Sequence, residues 1–436
     1  MSVFDSLLAD LAEMKPVRNF GRIRQTRGNT LLASGLSGCA RLGDRVEIRT
    51  MAGAALGGEI LGLSRDGAEI LPEGPVEGVA IGDRVEHLGQ SLITPDASWI
   101  GRVIDPYGAP LDGRPIARGN RPRALRAAPP APARRKRLGG RLATGLDAFN
   151  TVLPLVRGQR IGLFAGSGVG KTVLLGQFAR GVEADVVVLA LVGERGRELR
   201  DFVDEVLGPE GLARSVVVTA TSDRSPLARR RAALTAMTVA EHFRDEGLHV
   251  LLLCDSITRF AEAHREIALS AGEAASLRGF PPSTAHQIMA LAERAGPGLA
   301  DQGDITGIFT VLVAGSDMEE PVADILRGVL DGHVVLDRAI AERGRFPAVD
   351  LSRSVSRSLP AAANPGENAH IAEARRLIGA YERAEMMVQA GLYAQGSDPL
   401  TDRAIRVWPK LDAFLGGTEA ASVADSFTRL RRVLEQ

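Results

Sequence analysis

The chain has 436 residues, with 53 Lys or Arg balanced by 53 Asp or Glu, and that zero net charge excludes a global pull toward nucleic acid or anionic membrane. Hydrophobic residues at 45% and charged residues at 24% are ordinary for a globular chain with a sizeable core, and the length suggests about three domains. Two cysteines, Cys39 and Cys254, exclude a disulfide framework or a cysteine-rich metal site and fit a reducing compartment.

Met1–Asp5 lacks the basic start and apolar core of a signal peptide. No apolar run approaches the ~18 residues of a spanning helix. The expectation is a cytoplasmic protein that meets a membrane only through a partner. Phe4, Leu7, Leu8 and Leu11 fall at helical spacing, with Asp5, Asp10 and Glu13 between them. This predicts an amphipathic helix within residues 1–18, either docked on its own domain or waiting for a partner.

Residues 19–95 are Gly-rich and carry short strand-forming runs: Thr30–Leu32, Arg45–Ile48, Gly58–Leu61 and Arg84–Glu86. Short strands at this spacing predict a small β-barrel or sandwich. Residues 96–138 connect this unit to the next. Their second part, Arg114–Leu138, is rich in Arg, Pro and Ala and ends near the basic run Arg134–Arg137. It reads as a solvated, semi-rigid linker, with contact to RNA or lipid as the alternative.

Residues 139–363 alternate apolar runs with helical stretches; the runs include Arg160–Ala165, Asp185–Val192, Ser215–Thr219, His249–Cys254 and Ile308–Ala314. Runs this apolar suit strands buried on both faces, which predicts a parallel α/β sheet. From 364 to 436 the pattern is helical.

The strongest chemical signal lies inside the α/β region. Ala165-Gly166-Ser167-Gly168-Val169-Gly170-Lys171-Thr172 follows an apolar strand and precedes a helical run, the context of a phosphate-binding P-loop. Its glycines let backbone N–H groups turn inward around phosphate oxygens, and the following helix adds its positive end. Lys171 supplies a cation for the β- and γ-phosphates of ATP, and Thr172 a hydroxyl for Mg²⁺. The general motif begins with Gly, and Ala165 is a small departure.

His249–Asp255 is an apolar strand ending in a carboxylate, as a second acidic strand beside a P-loop does, and Asp255 then serves the Mg²⁺ site. Glu194, in Val192-Gly193-Glu194-Arg195-Gly196-Arg197-Glu198, falls where another apolar strand runs out. It reads either as the group acting on the attacking water or as a solvated turn carboxylate.

Taken together, Gly158–Thr172, Val192–Glu198 and Asp255–Phe260 resemble the rotary ATPase alpha/beta-subunit family, and within it the flagellar protein-export ATPases. Gly279–Ser283, Glu293–Gly296, Asp331–Arg338 and Phe346–Asp350 extend the resemblance, which runs from about residue 19 to the C-terminus. It implies an N-terminal β-barrel, a RecA-like P-loop ATPase domain and a C-terminal helical domain, assembled as a homohexameric ring with ATP sites between subunits. It further implies that Glu194 is the catalytic glutamate and that Arg259 lies near the γ-phosphate. Phe346 would rest against adenine, and Arg357 would be an arginine finger given to the neighbour's site. By the same resemblance, residues 1–18 would bind a regulatory stator-like partner. Export chaperones, substrates and the membrane export gate would be the other partners. Gly272–Ser276 departs from a more Pro-rich stretch, and Phe346 stands where many relatives have Tyr.

The leading reading is flagellar type III export, and the alternative is the ATPase of a virulence-type injectisome. A subunit of a proton-translocating ATP synthase fits less well, because one chain here carries both Glu194 and Arg357. A noncatalytic ring subunit would be expected to lack Glu194. A ring-shaped nucleic-acid motor also fits less well, because residues 19–95 hold a single aromatic, Phe20, for base stacking.

Overall fold

The computed structural model describes residues 17–313, 318–418 and 420–435. The amphipathic helix expected within residues 1–18 lies outside the described residues but for its last two positions.

Six strands form a closed barrel: β1 (Asn19–Arg27), β2 (Thr30–Ser34), β3 (Arg45–Arg49), β4 (Ala55–Leu63), β5 (Ala68–Pro72) and β6 (Arg84–Gly89). Their order is β1-β2-β5-β4-β3-β6, and β6 pairs back onto β1. Alternation explains the closure. Leu31 and Ala33, Val46 and Ile48, Ile60, Ile70 and Val85 are buried and share one core, while intervening residues face out. Closing the sheet leaves no open edge. Phe20 is covered by the Arg84 guanidinium, 3.4 Å from the ring centre.

The connecting segment contributes strands of its own. Its β9 (Arg123–Ala124) pairs with β7 (Leu92–Ile93) at the end of the preceding unit, and its β8 (Arg102–Ile104) joins the edge of the large sheet, parallel to the later strand Ser215–Thr221. The basic stretch is largely exposed, Arg134 and Arg137 included, but two of its cations are tied down. Arg135 donates to the carbonyls of Ala295 and Glu293, and Lys136 pairs with Asp304 at 2.9 Å. Such pairing fixes the segment onto the ATPase domain, because carbonyls and carboxylates near the surface satisfy the cations more cheaply than burial alone.

The large sheet adds β10 (Arg160–Ala165), β11 (Val186–Glu194), β12 (Ser215–Thr221), β13 (His249–Asp255), β14 (Gly296–Pro297), β15 (Asp304–Leu312), β16 (Gly332–Leu336) and β17 (Val349–Ser356). The order is β17-β16-β10-β15-β13-β11-β12-β8, with β14 on β15. All pairs are parallel except β16–β17 and β14–β15. Val186–Val192 and His249–Asp255 are buried along their whole length, as strands covered by helices on both faces must be.

The helical C-terminal segment starts where the sequence places it. Asn364 caps Pro365–Gln389, its side chain accepting from the Glu367 N–H while Glu367 answers the Asn364 N–H, with Pro365 in the first turn. Pro399–Leu415 and Val423–Leu434 follow. Tyr381 stacks on Trp408, ring centres 4.1 Å apart. Leu377, Leu411, Phe414 and Leu430 join Phe149, Val152 and Phe178 in one core, so these helices and one face of the sheet form a single packed unit. Among the described residues, no helix is long and apolar enough to cross a membrane.

Candidate nucleotide site

Strand β10 ends at Ala165, which is fully buried, and the chain turns through Gly166–Gly170 into the helix Lys171–Gly181. Ala in place of the first motif Gly is harmless here because that position still belongs to the strand. Gly170 caps the helix with φ 83°, left-handed backbone that other residues rarely adopt. A side-chain carbon there would also lie 3.0 Å from the Phe346 ring. Phe346, 46% exposed, therefore rests directly on the P-loop backbone. Thr172 is exposed in the first turn, next to Lys171.

Asp255 ends β13 and is buried. The Lys171 ammonium donates to Asp255 Oδ1 in a short, charge-assisted contact, and Thr310 Oγ1 donates to the same oxygen at 2.6 Å. Glu194 ends β11, and its Oε1 lies 3.9 Å from Lys171 Nζ. Lys171, Asp255 and Glu194 thus meet at the carboxyl edge of the sheet, where α/β folds bind ligands. Of the two readings of Glu194, the solvated turn residue does not match its surroundings. Burial, and then the charge of Asp255, push its carboxyl up to about 7 against the opposing pull of Lys171.

Two residues of this cluster, Glu198 beside Glu194 and Thr310 beside Asp255, escaped the sequence reading. Glu198, one turn further on, hydrogen-bonds the Glu194 carboxyl, and its own carboxyl is held down first by Arg195, whose Nη1 lies 2.7 Å away. The four-residue spacing within a motif already singled out was the available signal. Thr310 gave no such signal, being one β-branched residue in a β-prone run.

Arg259 lies beside this cluster. Its stem packs on Gly193, the residue before Glu194; a side-chain carbon at Gly193, which has φ 72°, would sit 3.3 Å from it. The guanidinium Nη1 pairs with Glu262 at 2.9 Å.

Arg357 is the site residue that does not join the others. Ala165 is level with Leu336 on β16 and, through it, with Val349 on β17, whereas Ser356 is level with Gly332 at the other end of β16. Arg357 follows Ser356, so it stands at the edge of the sheet opposite its own P-loop. It is exposed, its Nη2 donating to the Arg327 carbonyl at 3.3 Å.

A phosphate loop of this build, one strand away from an acid-ended strand in a parallel sheet, is the hallmark of P-loop ATPases, and this chain is one. Comparison with known proteins narrows the class. Residues 145–356 match the model for the ATP synthase alpha/beta family, nucleotide-binding domain, and residues 363–432 match the T3SS EscN ATPase C-terminal domain. A flagellum-specific ATP synthase of Caulobacter vibrioides is 44% identical over 99% of both chains, and one of Salmonella typhimurium is 42% identical over 99% of this chain and 97% of the relative. A type 3 secretion system ATPase of Xanthomonas euvesicatoria is 42% identical over 92% of this chain and 90% of the relative. The assembled ATPase EscN of the enteropathogenic E. coli type III secretion system superimposes with a TM-score of 0.88 at 37% identity, covering 95% of this chain and all of EscN. The chain belongs to the ATP synthase alpha/beta family, in the branch of the flagellum-specific and type III secretion ATPases.

Proposed function

We propose that the protein hydrolyses MgATP as a homohexameric ring, each site completed by Arg357 of a neighbour, and that this drives flagellar type III protein export. The observation that carries the reading is the division of one chain's equipment: Lys171, Asp255 and Glu194 on one edge of the sheet, Arg357 on the other.

The residues fit the metal. Mg²⁺ takes oxygen ligands and usually keeps several waters besides one or two protein groups. Thr172 offers an exposed hydroxyl and Asp255 a carboxylate fixed on one oxygen by two donors. These two would hold the ion, whose charge, when bound, offsets that on the β- and γ-oxygens. Lys171 exchanges Asp255 for those phosphates. Glu194, one turn from Glu198 and beside Lys171, orients the attacking water and takes its proton. Arg259 lies near the γ-phosphate, and Phe346 gives adenine an apolar face beside the P-loop. Arg357 of the adjacent subunit stabilises charge spread over three equatorial oxygens, a task its fixed fork of donors suits.

Flagellar export is favoured over an injectisome because flagellum-specific ATP synthases of Caulobacter and Salmonella align with the chain almost end to end. One solved relative is assembled EscN with its central stalk EscO; a stalk-like partner fits a ring of this chain as well. Residues 1–18 are the proposed contact for a regulatory stator-like protein, which would hold the ATPase at the inner-membrane export apparatus. The experiment is deletion of the gene in its own bacterium, with the wild-type or the Glu194→Gln gene returned. Loss of hook and filament proteins from the medium, restored by the wild type alone, supports the reading. Intact flagellar secretion with loss of virulence effectors would assign the protein to an injectisome.

A further inference from the structure

We propose that Thr310 is a positioning residue for Mg²⁺-dependent hydrolysis, holding the Asp255 carboxylate in the orientation the metal site needs. The proposal rests on the reading of Asp255 as the acidic member of that site.

Thr310 lies on β15, the strand between the P-loop strand β10 and the acidic strand β13. It is level with Leu163 on one side, and its neighbour Phe309 is level with Cys254 on the other. Register thus sets Thr310 beside Asp255. Its side chain is fully buried, so its hydroxyl must find a partner inside the protein. Two acceptors are in range: the Cys254 carbonyl at 3.3 Å and Asp255 Oδ1 at 2.6 Å. A hydroxyl has one proton to give, and the shorter, charge-assisted contact is the stronger. The hydroxyl is therefore committed to the carboxylate rather than to the neighbouring backbone.

Asp255 Oδ1 also receives the Lys171 ammonium. The two donors have different fates. Lys171 sits at the start of the P-loop helix and is drawn to phosphate when nucleotide enters. Thr310 is locked in a central strand and stays. The terminal torsion of an aspartate is broad, so a carboxylate that loses both donors is free to rotate. With Thr310 in place, Asp255 keeps its orientation through the exchange, and its second oxygen, which neither donor occupies, would be available to the metal.

The test uses the full chain with Thr310→Val, Thr310→Ala, Thr310→Ser and Asp255→Asn. Two quantities are read: ADP affinity by calorimetry, with EDTA and across a MgCl₂ series, and the Mg²⁺ concentration giving half-maximal hydrolysis. Thr310→Val and Thr310→Ala should bind ADP in EDTA as the wild type does but require roughly 10- to 100-fold more Mg²⁺, the span expected for a lost hydrogen bond to a charged group. Thr310→Ser should restore the wild-type requirement. If Val does not fold in this position, the Ala and Ser variants, which differ by one hydroxyl, decide. An unchanged Mg²⁺ requirement in the hydroxyl-less variants, with Asp255→Asn shifting it, overturns the proposal alone. No effect of Asp255→Asn on Mg²⁺-dependent ADP binding overturns the reading of Asp255 and the proposal with it.

Discussion

Arg357 and Lys171 flank one sheet from opposite edges, Arg357 just after β17 and Lys171 at the start of the helix that follows β10. Ser356 pairs with Gly332, at the start of β16, while Ala165, which leads into the P-loop, pairs with Leu336 at its end. Four residue steps, Gly332 to Leu336, separate the two levels, on the order of 13 Å of strand. That distance sets Arg357 apart from its own chain's Lys171, which supports the proposal that it serves a neighbour's site. It is exposed, its Nη2 donating to the Arg327 carbonyl.

Removing Lys171 and removing the Glu194 carboxylate should have different consequences. Lys171→Ala deletes a phosphate contact and leaves Asp255 without its cation, so nucleotide affinity and turnover both fall. Glu194→Gln keeps the shape and should bind ATP near wild-type strength, with turnover reduced by roughly 10²- to 10⁴-fold. Calorimetric affinity and steady-state kcat for each variant check this, and equal loss of ATP binding in both would refute the separate roles.

The pH profile follows from Glu194. Its folded pKa is raised to about 7, so below that pH the carboxyl is protonated and cannot accept a proton from water. The kcat/KM for ATP should therefore rise as pH increases through about 7, since this ratio reports the free enzyme. Glu198 contributes to the upward shift by accepting Glu194's proton in a hydrogen bond and by its own charge. Glu198→Gln should move the inflection to lower pH. Comparing the two profiles cancels the titration of the nucleotide's own phosphate.

Phe346 touches the P-loop at Gly170 and leaves nearly half its surface open. Phe346→Ala should raise KM for ATP by roughly 10- to 100-fold if the ring stacks on the base, with a smaller change in kcat. Phe346→Tyr should be close to wild type. Unchanged KM in the Ala variant would remove Phe346 from the base site.

Stability has a clear single point of failure in Arg294. It is 3% exposed, pairs with Glu241 through two hydrogen bonds of 2.9 and 2.6 Å, and donates to the Leu125 carbonyl and Thr238. Arg294→Ala strands a buried carboxylate and should cost about 3–5 kcal/mol, read from urea unfolding. Replacing both Arg294 and Glu241 by apolar residues should recover part of that loss.

What was legible in the sequence followed from local signals. The P-loop is contiguous, its strand and helix flank it, and Asp255 and Glu194 end apolar runs, so the three could be named before any contact was known. The barrel strands declared themselves as short strand-forming runs separated by turn residues, and the helical pattern from 364 onward marked the C-terminal segment. What was not legible depended on register and long-range pairing. Thr310 is an unremarked strand residue until β15 slides into place beside β13. Arg135 and Lys136 resembled solvated charges because their acceptors, near residues 293–304, lie some 160 positions away. Strand β8 was hidden in a segment read as a connection, since three residues paired at a sheet edge carry little pattern of their own. Glu198 was visible as part of a motif, but its bond to Glu194 needed the helix turn to bring them together.

The measurement that bears most directly on the account is a mixture of two inactive rings. Arg357→Ala should bind ATP and lose roughly 10³- to 10⁵-fold in turnover, about 4–7 kcal/mol of barrier, and Glu194→Gln should be similarly inactive. In rings reassembled from both, a site owned by the Arg357→Ala chain keeps Glu194 and receives Arg357 from a Glu194→Gln neighbour. Random mixing in a closed ring gives roughly a quarter of the interfaces both groups. Hydrolysis should reappear well above either parent, by up to that fraction of the wild-type rate. Mixed rings that demonstrably form yet hydrolyse no faster than the parents would contradict a site completed by the neighbouring subunit.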